Sequence, residues 1–177
     1  MLDDEAWFAE LYRRRYGLVY AYAARRVGTE PAREVASEVF LVVWRRRIRL
    51  TEDTEIGWLL GSARKVVANL LRAQRRRTAL LQRASTLLAA GVIKQLDPMN
   101  RVDDILAVRE ALAKLSPTHQ EALLLVEWEG VDIATGAEIA GCSPSTFKVR
   151  LHRARRRLAE LLADQPTTLP EPVGDPS

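Results

Sequence analysis

The chain has 177 residues, 47% of them hydrophobic, with 27 Lys and Arg against 23 Asp and Glu for a formal charge of +4. That length suits one large domain or two small ones, and the apolar share excludes global disorder. Nine glycines, 6% aromatics and the lack of long alternating β-branched runs argue against a sandwich, a barrel or a Rossmann fold, leaving an all-α chain.

Helix one is predicted from about Asp4 to Arg26, with Phe8, Leu11, Tyr12, Leu18, Val19 and Tyr22 on its apolar side and Gly28 ending it. Helix two starts after Thr29 as N-cap, with Pro31 in its first turn and a core stripe of Ala36, Phe40 and Val43. A polar loop, TEDTE, precedes helix three, which runs from about Ile56 to Arg77 with Leu59, Ala63, Val66 and Leu70 buried. Residues 78–103 lose the periodicity and read as a linker.

Asp104 caps the next helix, carrying Ile105, Val108, Leu112 and Leu115. Ser116 and Pro117 open another, which ends near Gly130. Asp132 caps a short helix to Ala140, Gly141 and Cys142 form a turn, and Ser143 and Pro144 start the last helix. Its apolar positions are Phe147, Leu151, Ala154 and Leu158. The tail from Asp164, rich in proline and polar residues, is expected to be disordered. The chain therefore divides into residues 1–77, a linker 78–103, residues 104–163 and a tail 164–177.

No apolar stretch approaches a membrane span, and the start MLDDEAWF is acidic where a signal peptide would be basic. The expected location is the cytoplasm. One cysteine, Cys142, gives no internal disulfide, and two histidines, His119 and His152, give no metal cluster. With no phosphate-binding glycine loop or nucleophile elbow either, the chain is expected to be no enzyme and to need no cofactor or metal.

Charge is segregated along the chain. From Ile56 to Leu96 there is no Asp or Glu, while Arg64, Lys65, Arg72 and Arg75–Arg77 are present. From Ile139 to Ala159 acids are again absent, among Lys148, Arg150, Arg153 and Arg155–Arg157. Between these runs, Leu115–Phe147 holds no Lys or Arg but contains Glu121, Glu127, Glu129, Asp132 and Glu138. Two basic faces around an acidic segment read as two footprints for a polyanion.

A short helix, a glycine turn and a capped second helix make a helix-turn-helix. With Phe147 and Leu151 inward, Lys148, His152 and Arg155 project outward, flanked by Val149, Arg153 and Arg156. Such a stripe can reach base edges near the helix start and phosphates further along. Ser145 and Thr146 suit a phosphate at the helix N-terminus. Gly136 stands where an apolar packing residue is expected. In helix three, Lys65, Asn69, Arg72 and Arg76 recur on one stripe that suits a nucleic-acid backbone. Trp58 either packs in the core or stacks on a base. Helix two instead exposes Glu34, Ser37, Glu38 and Leu41, a pattern for a protein partner with basic side chains around an apolar pocket.

The strings EVASEVFLVVWRRR, WLLGSARKVVANLLRAQRRR, VREALAKLSPTHQEALLL and EGVDIATGAEIAGCSPSTFKVRLHRARRRLAELL resemble bacterial RNA polymerase sigma factors of the extracytoplasmic-function (ECF) group. The resemblance covers about Phe8–Arg77 as sigma domain 2 and Ile105–Leu162 as sigma domain 4. It implies an all-α protein of two small domains that directs core RNA polymerase to promoters and partners an anti-sigma factor. The helix that meets the β′ clamp maps onto Glu34, Ser37, Glu38 and Leu41. A base-capturing loop maps onto Arg49–Gly57, and the −10 helix onto Arg64, Lys65 and Asn69. The −35 helix maps onto Thr146, Lys148, Val149, Arg150, His152 and Arg153, in the domain that also touches the β flap. Val149, Thr135 and Gly136 depart from the family pattern, which implies an unusual −35 preference. A helix-turn-helix regulator acting without core polymerase is the alternative.

Overall fold

The computed structural model describes residues 2–82 and 102–164. Seven helices follow in order: α1 (Leu2–Val27), α2 (Thr29–Arg46), α3 (Glu52–Gln82), α4 (Val102–Ala113), α5 (Pro117–Leu123), α6 (Ile133–Ala140) and α7 (Pro144–Ala163). One π turn, Leu124–Trp128, extends α5. The described residues contain no strand.

Helices α1, α2 and α3 pack on one another. Leu11, Val19, Tyr22, Ala32, Val35, Val39, Phe40 and Val43 are buried between them. The buried stripe of α3 is Leu59, Leu60, Ala63 and Val67. It is rotated from the expected one, since Val66 and Leu70 are only half-buried. Tyr12 of α1, expected inside, is 39% exposed.

Several boundaries differ from the periodicity. Thr29 lies inside the first turn of α2, whose N-cap is Gly28 at φ 86°. The TEDTE segment is no loop beyond Thr51. Thr54 and Glu55 donate backbone N–H groups to the Thr51 carbonyl at 3.0 and 2.9 Å, so α3 starts four residues before Ile56 at Glu52. Glu55 is buried in that first turn. It accepts from Arg14 at 2.7 Å and from Arg15 at 2.5 Å, and this pairing draws an acidic stretch into helix. Helix α3 continues past Arg77 to Gln82, and α4 begins at Val102, so Asp104 is inside the helix rather than its cap. The expected linker thus narrows from both sides. The expected disordered tail lies outside the described residues beyond Asp164.

The second half follows its local signals closely. Ser116, Asp132 and Ser143 each accept from the backbone N–H three residues on, those of His119, Thr135 and Thr146. Gln120 donates to the carbonyls of Leu112 and Leu115 at 2.8 and 3.0 Å, closing the end of α4. Gly141 takes φ 66° between α6 and α7, the left-handed conformation that a tight turn asks of glycine. Phe147, Leu151 and Ala154 are buried, as their spacing predicts. Helix α7 packs against α4, α5 and α6, while α6 also packs on α3 and joins the two halves.

Candidate nucleic-acid interface

Helix α7 is built as a lever with one locked face. Phe147 is fully buried and its ring passes directly under Gly136. A Cβ at Gly136 would meet Phe147 Cζ at 2.6 Å. The residue that departs from the expected packing pattern is therefore the one that lets the aromatic ring reach α6. With that face locked, Ser145, Thr146, Lys148, Val149, His152, Arg153 and Arg156 are all exposed, and Arg150 is half-buried. Val149 is 48% exposed, a large apolar side chain in a basic field. Ser143 Oγ lies 3.0 Å from Ser145 Oγ and 2.8 Å from Thr146 Oγ1, so the first turn is fixed before any ligand arrives. Arg155 is drawn off the stripe by Glu127 at 2.6 Å.

The second basic face lies on α3. Lys65, Asn69, Arg72 and Arg76 are exposed together, and Arg72 donates to the Asn69 side-chain oxygen. Trp58 is half-buried against the core. Arg64 does not join the open stripe. Its guanidinium donates to Glu121 through Nε at 2.6 Å and Nη2 at 3.2 Å, across the two halves of the chain. The accepting carboxylate raises the Arg64 pKa further above its ordinary value. Nearby, burial pushes the Tyr22 phenol up to about 12.

On α2, Glu34, Ser37, Glu38 and Leu41 are exposed on one face. Leu41 and Trp44 are each 43% exposed. They border an open groove of about 360 Å³ with Phe8, Tyr12, Ser37 and Phe40. Sequence reasoning missed the aromatic half of this groove. Trp44 lies three positions from Leu41 on α2, but only the packing of α1 brings Tyr12 and Phe8 alongside.

Comparisons with known proteins bear directly on these faces. The model of sigma-70, region 4, matches residues 105–158, which span α4 to α7. The RNA polymerase sigma factor CarQ of Myxococcus xanthus is 31% identical over 160 residues, covering 89% of this chain and 90% of CarQ. The chain belongs to the ECF group of RNA polymerase sigma factors. BldN of Streptomyces coelicolor, an ECF sigma factor, is also 31% identical, over 89% of this sigma factor and 61% of BldN's greater length. Two solved structures share the fold at 22% identity. The sigma factor RpoE of Bartonella quintana, crystallised with the anti-sigma factor NepR, has a TM-score of 0.63 over 89% of this chain and 98% of RpoE. CnrH, solved with the cytosolic domain of CnrY, has a TM-score of 0.59 over 89% of each chain. This sigma factor is thus all-α and directs RNA polymerase in transcription initiation. Among the described residues no helix is long and apolar enough to cross a membrane.

Proposed function

We propose that this sigma factor works from two units, residues 1–77 and 104–163, each presenting one DNA face. The observation that carries the reading is α7, where buried Phe147, Leu151 and Ala154 oppose exposed Lys148, Val149, His152 and Arg153. On this reading α7 enters the major groove of the −35 element. Lys148 and Arg153 bond base edges, Val149 offers an apolar surface to a thymine methyl, and Arg156 meets phosphate. Ser145, Thr146 and Arg150 position the helix on the backbone. The α3 stripe of Lys65, Asn69, Arg72 and Arg76, with Arg64 and Trp58 at its upstream end, holds the melted non-template strand of the −10 element. Strand capture offsets roughly a few kcal/mol of unstacking for each base extruded. The α2 face of Glu34, Ser37, Glu38 and Leu41 docks on the β′ clamp of core polymerase, and the second unit touches the β flap. The chain supplies binding energy rather than catalysis and acts in the cytoplasm. RpoE was crystallised with the anti-sigma factor NepR, and an anti-sigma factor is proposed as a partner here too.

Run-off transcription with purified core polymerase, followed by start-site mapping, tests the reading. Start sites sharing −10 and −35 elements are expected. DNA binding without any core-dependent start site would overturn it in favour of a regulator acting alone.

A further inference from the structure

A cavity of about 340 Å³ lies between α1, α3, α4 and α5. Apart from Arg64, none of its lining residues belongs to the faces described above. Its volume falls at the lower end of the range for small-molecule sites. The walls are mainly apolar, with Val67, Ala68 and Leu71 from α3, Leu112 from α4 and Leu124 from the π turn. Tyr22, fully buried, forms the floor. Arg26 lies over the Tyr22 ring, its Cζ 3.5 Å from the ring centroid. The Tyr22 hydroxyl and Arg26 Nη2 are both buried without a hydrogen-bond partner. Two neighbouring groups thus each hold an unpaired donor, and a buried donor without a partner is costly to the fold.

We infer that this cavity is a binding site for a small amphipathic anion, a single carboxylate on an apolar body. Three arginines line it, Arg25, Arg26 and Arg64. Two glutamates answer them: Glu129 accepts from Arg25 and Arg26, and Glu121 from Arg64. Three cations against two anions leave one positive charge, which one negative charge on a ligand balances and a cationic ligand would enlarge. Burial pushes the Tyr22 phenol up to about 12, so at neutral pH it keeps its proton and donates. A carboxylate has two oxygens, one for each unpaired donor, and hydrogen bonds to a charged acceptor are the stronger kind. Gln120, also in the lining, does not compete for the head group, since its amide already donates to the Leu112 and Leu115 carbonyls. The apolar walls select against a bare inorganic anion, which has nothing to set against them. Because the walls come from both halves of the chain, an occupant raises the thermal midpoint of the chain as packed. The site stands whether or not α3 and α7 meet DNA.

The test is calorimetric titration of the full chain with octanoate, with octylammonium as the probe of opposite charge. Octanoate should bind and raise the thermal midpoint, and octylammonium should do neither. Affinity should climb along the saturated monocarboxylates and stop climbing once the chain outgrows the cavity, whereas adsorption to an open surface has no such limit. Tyr22→Phe should weaken octanoate binding by roughly ten- to a hundredfold, as the loss of a hydrogen bond to a charged group does. The midpoint of the ligand-free variant should not fall, because the hydroxyl has no partner to lose. Nuclear Overhauser contacts from octanoate methylenes to the Leu71 and Leu112 methyls locate the site in the parent chain without any variant. No octanoate binding, or equal binding of octanoate and octylammonium, would overturn the proposal. So would the absence of those contacts, or an unchanged affinity in Tyr22→Phe.

Discussion

Gly136 lies against the ring of Phe147, and that contact reverses what helix propensity alone says about it. Alanine is favoured over glycine in a helix by about 1 kcal/mol. Here the added Cβ would come within 2.7 Å of two ring carbons of a fully buried side chain. Gly136→Ala should therefore destabilise the second unit by roughly 1–3 kcal/mol, the usual cost of overpacking. Urea denaturation checks it, and a stabilised variant would show that the ring moves aside. Glu55 gives a second prediction at this scale. It is fully buried, whereas the Arg14 and Arg15 side chains remain 35% and 25% exposed. Removing the acid leaves arginines that can turn to water. Removing both arginines strands a buried carboxylate. Glu55→Gln should cost about 1–3 kcal/mol, and Arg14→Ala with Arg15→Ala about 3–5 kcal/mol. Thermal melts of the two variants should show that order.

Helix α6 depends on its cap. Asp132 accepts from the Thr135 backbone N–H at 2.7 Å, and the hydrogen bonds from Thr135 hold its carboxyl below the usual carboxylate range. A pKa lowered by folding contributes stability that is present above the unfolded value and lost as pH falls through the folded one. Asp132→Asn keeps an acceptor oxygen but cannot titrate. The difference between its stability and that of the parent should shrink as pH falls from about 5 to 3, the range in which carboxylates protonate. Melts across that range read it, and a constant difference would contradict it. Helix α7 carries the prediction for recognition. Lys148→Ala and Arg153→Ala should cost roughly 1–3 kcal/mol and relax preference at single −35 positions. Arg156→Ala should weaken all sequences alike and flatten the salt dependence. Binding to single-substitution −35 variants at fixed salt separates the two behaviours. Uniform loss in all three variants would remove the base-reading role.

For the whole molecule, assembly with core polymerase is the test of the α2 face. Glu38 is exposed beside Leu41 and the aromatic groove. Glu38→Arg should lower affinity for core polymerase, because like charges would then meet across a basic partner surface. Helicity should be unchanged, since the side chain takes no part in the core. A titration of labelled core polymerase reads the loss, and equal affinities would move the docking face elsewhere. The aromatic groove next to it enlarges the apolar area that such a partner could cover.

Much of this architecture was legible from residue order, and the reason is physical. Caps act within three residues, so Ser116, Asp132 and Ser143 announced their helices without reference to anything distant. Periodicity acts within a few turns, so Phe147, Leu151 and Ala154 named the buried face of α7, and the exposed face followed by elimination. Contacts between distant segments carried no such signal. The buried Glu55 sits in a run of acids and threonines that reads as loop, and only α1 brings Arg14 and Arg15 to it. Gly136 stands where the pattern expects an apolar packing residue, and only the Phe147 ring placed against it gives the reason. Arg64 looked like one more cation on a basic stripe. Glu121, 57 positions away, decided its partner, because pairing across that distance depends on how the two halves pack rather than on any local pattern.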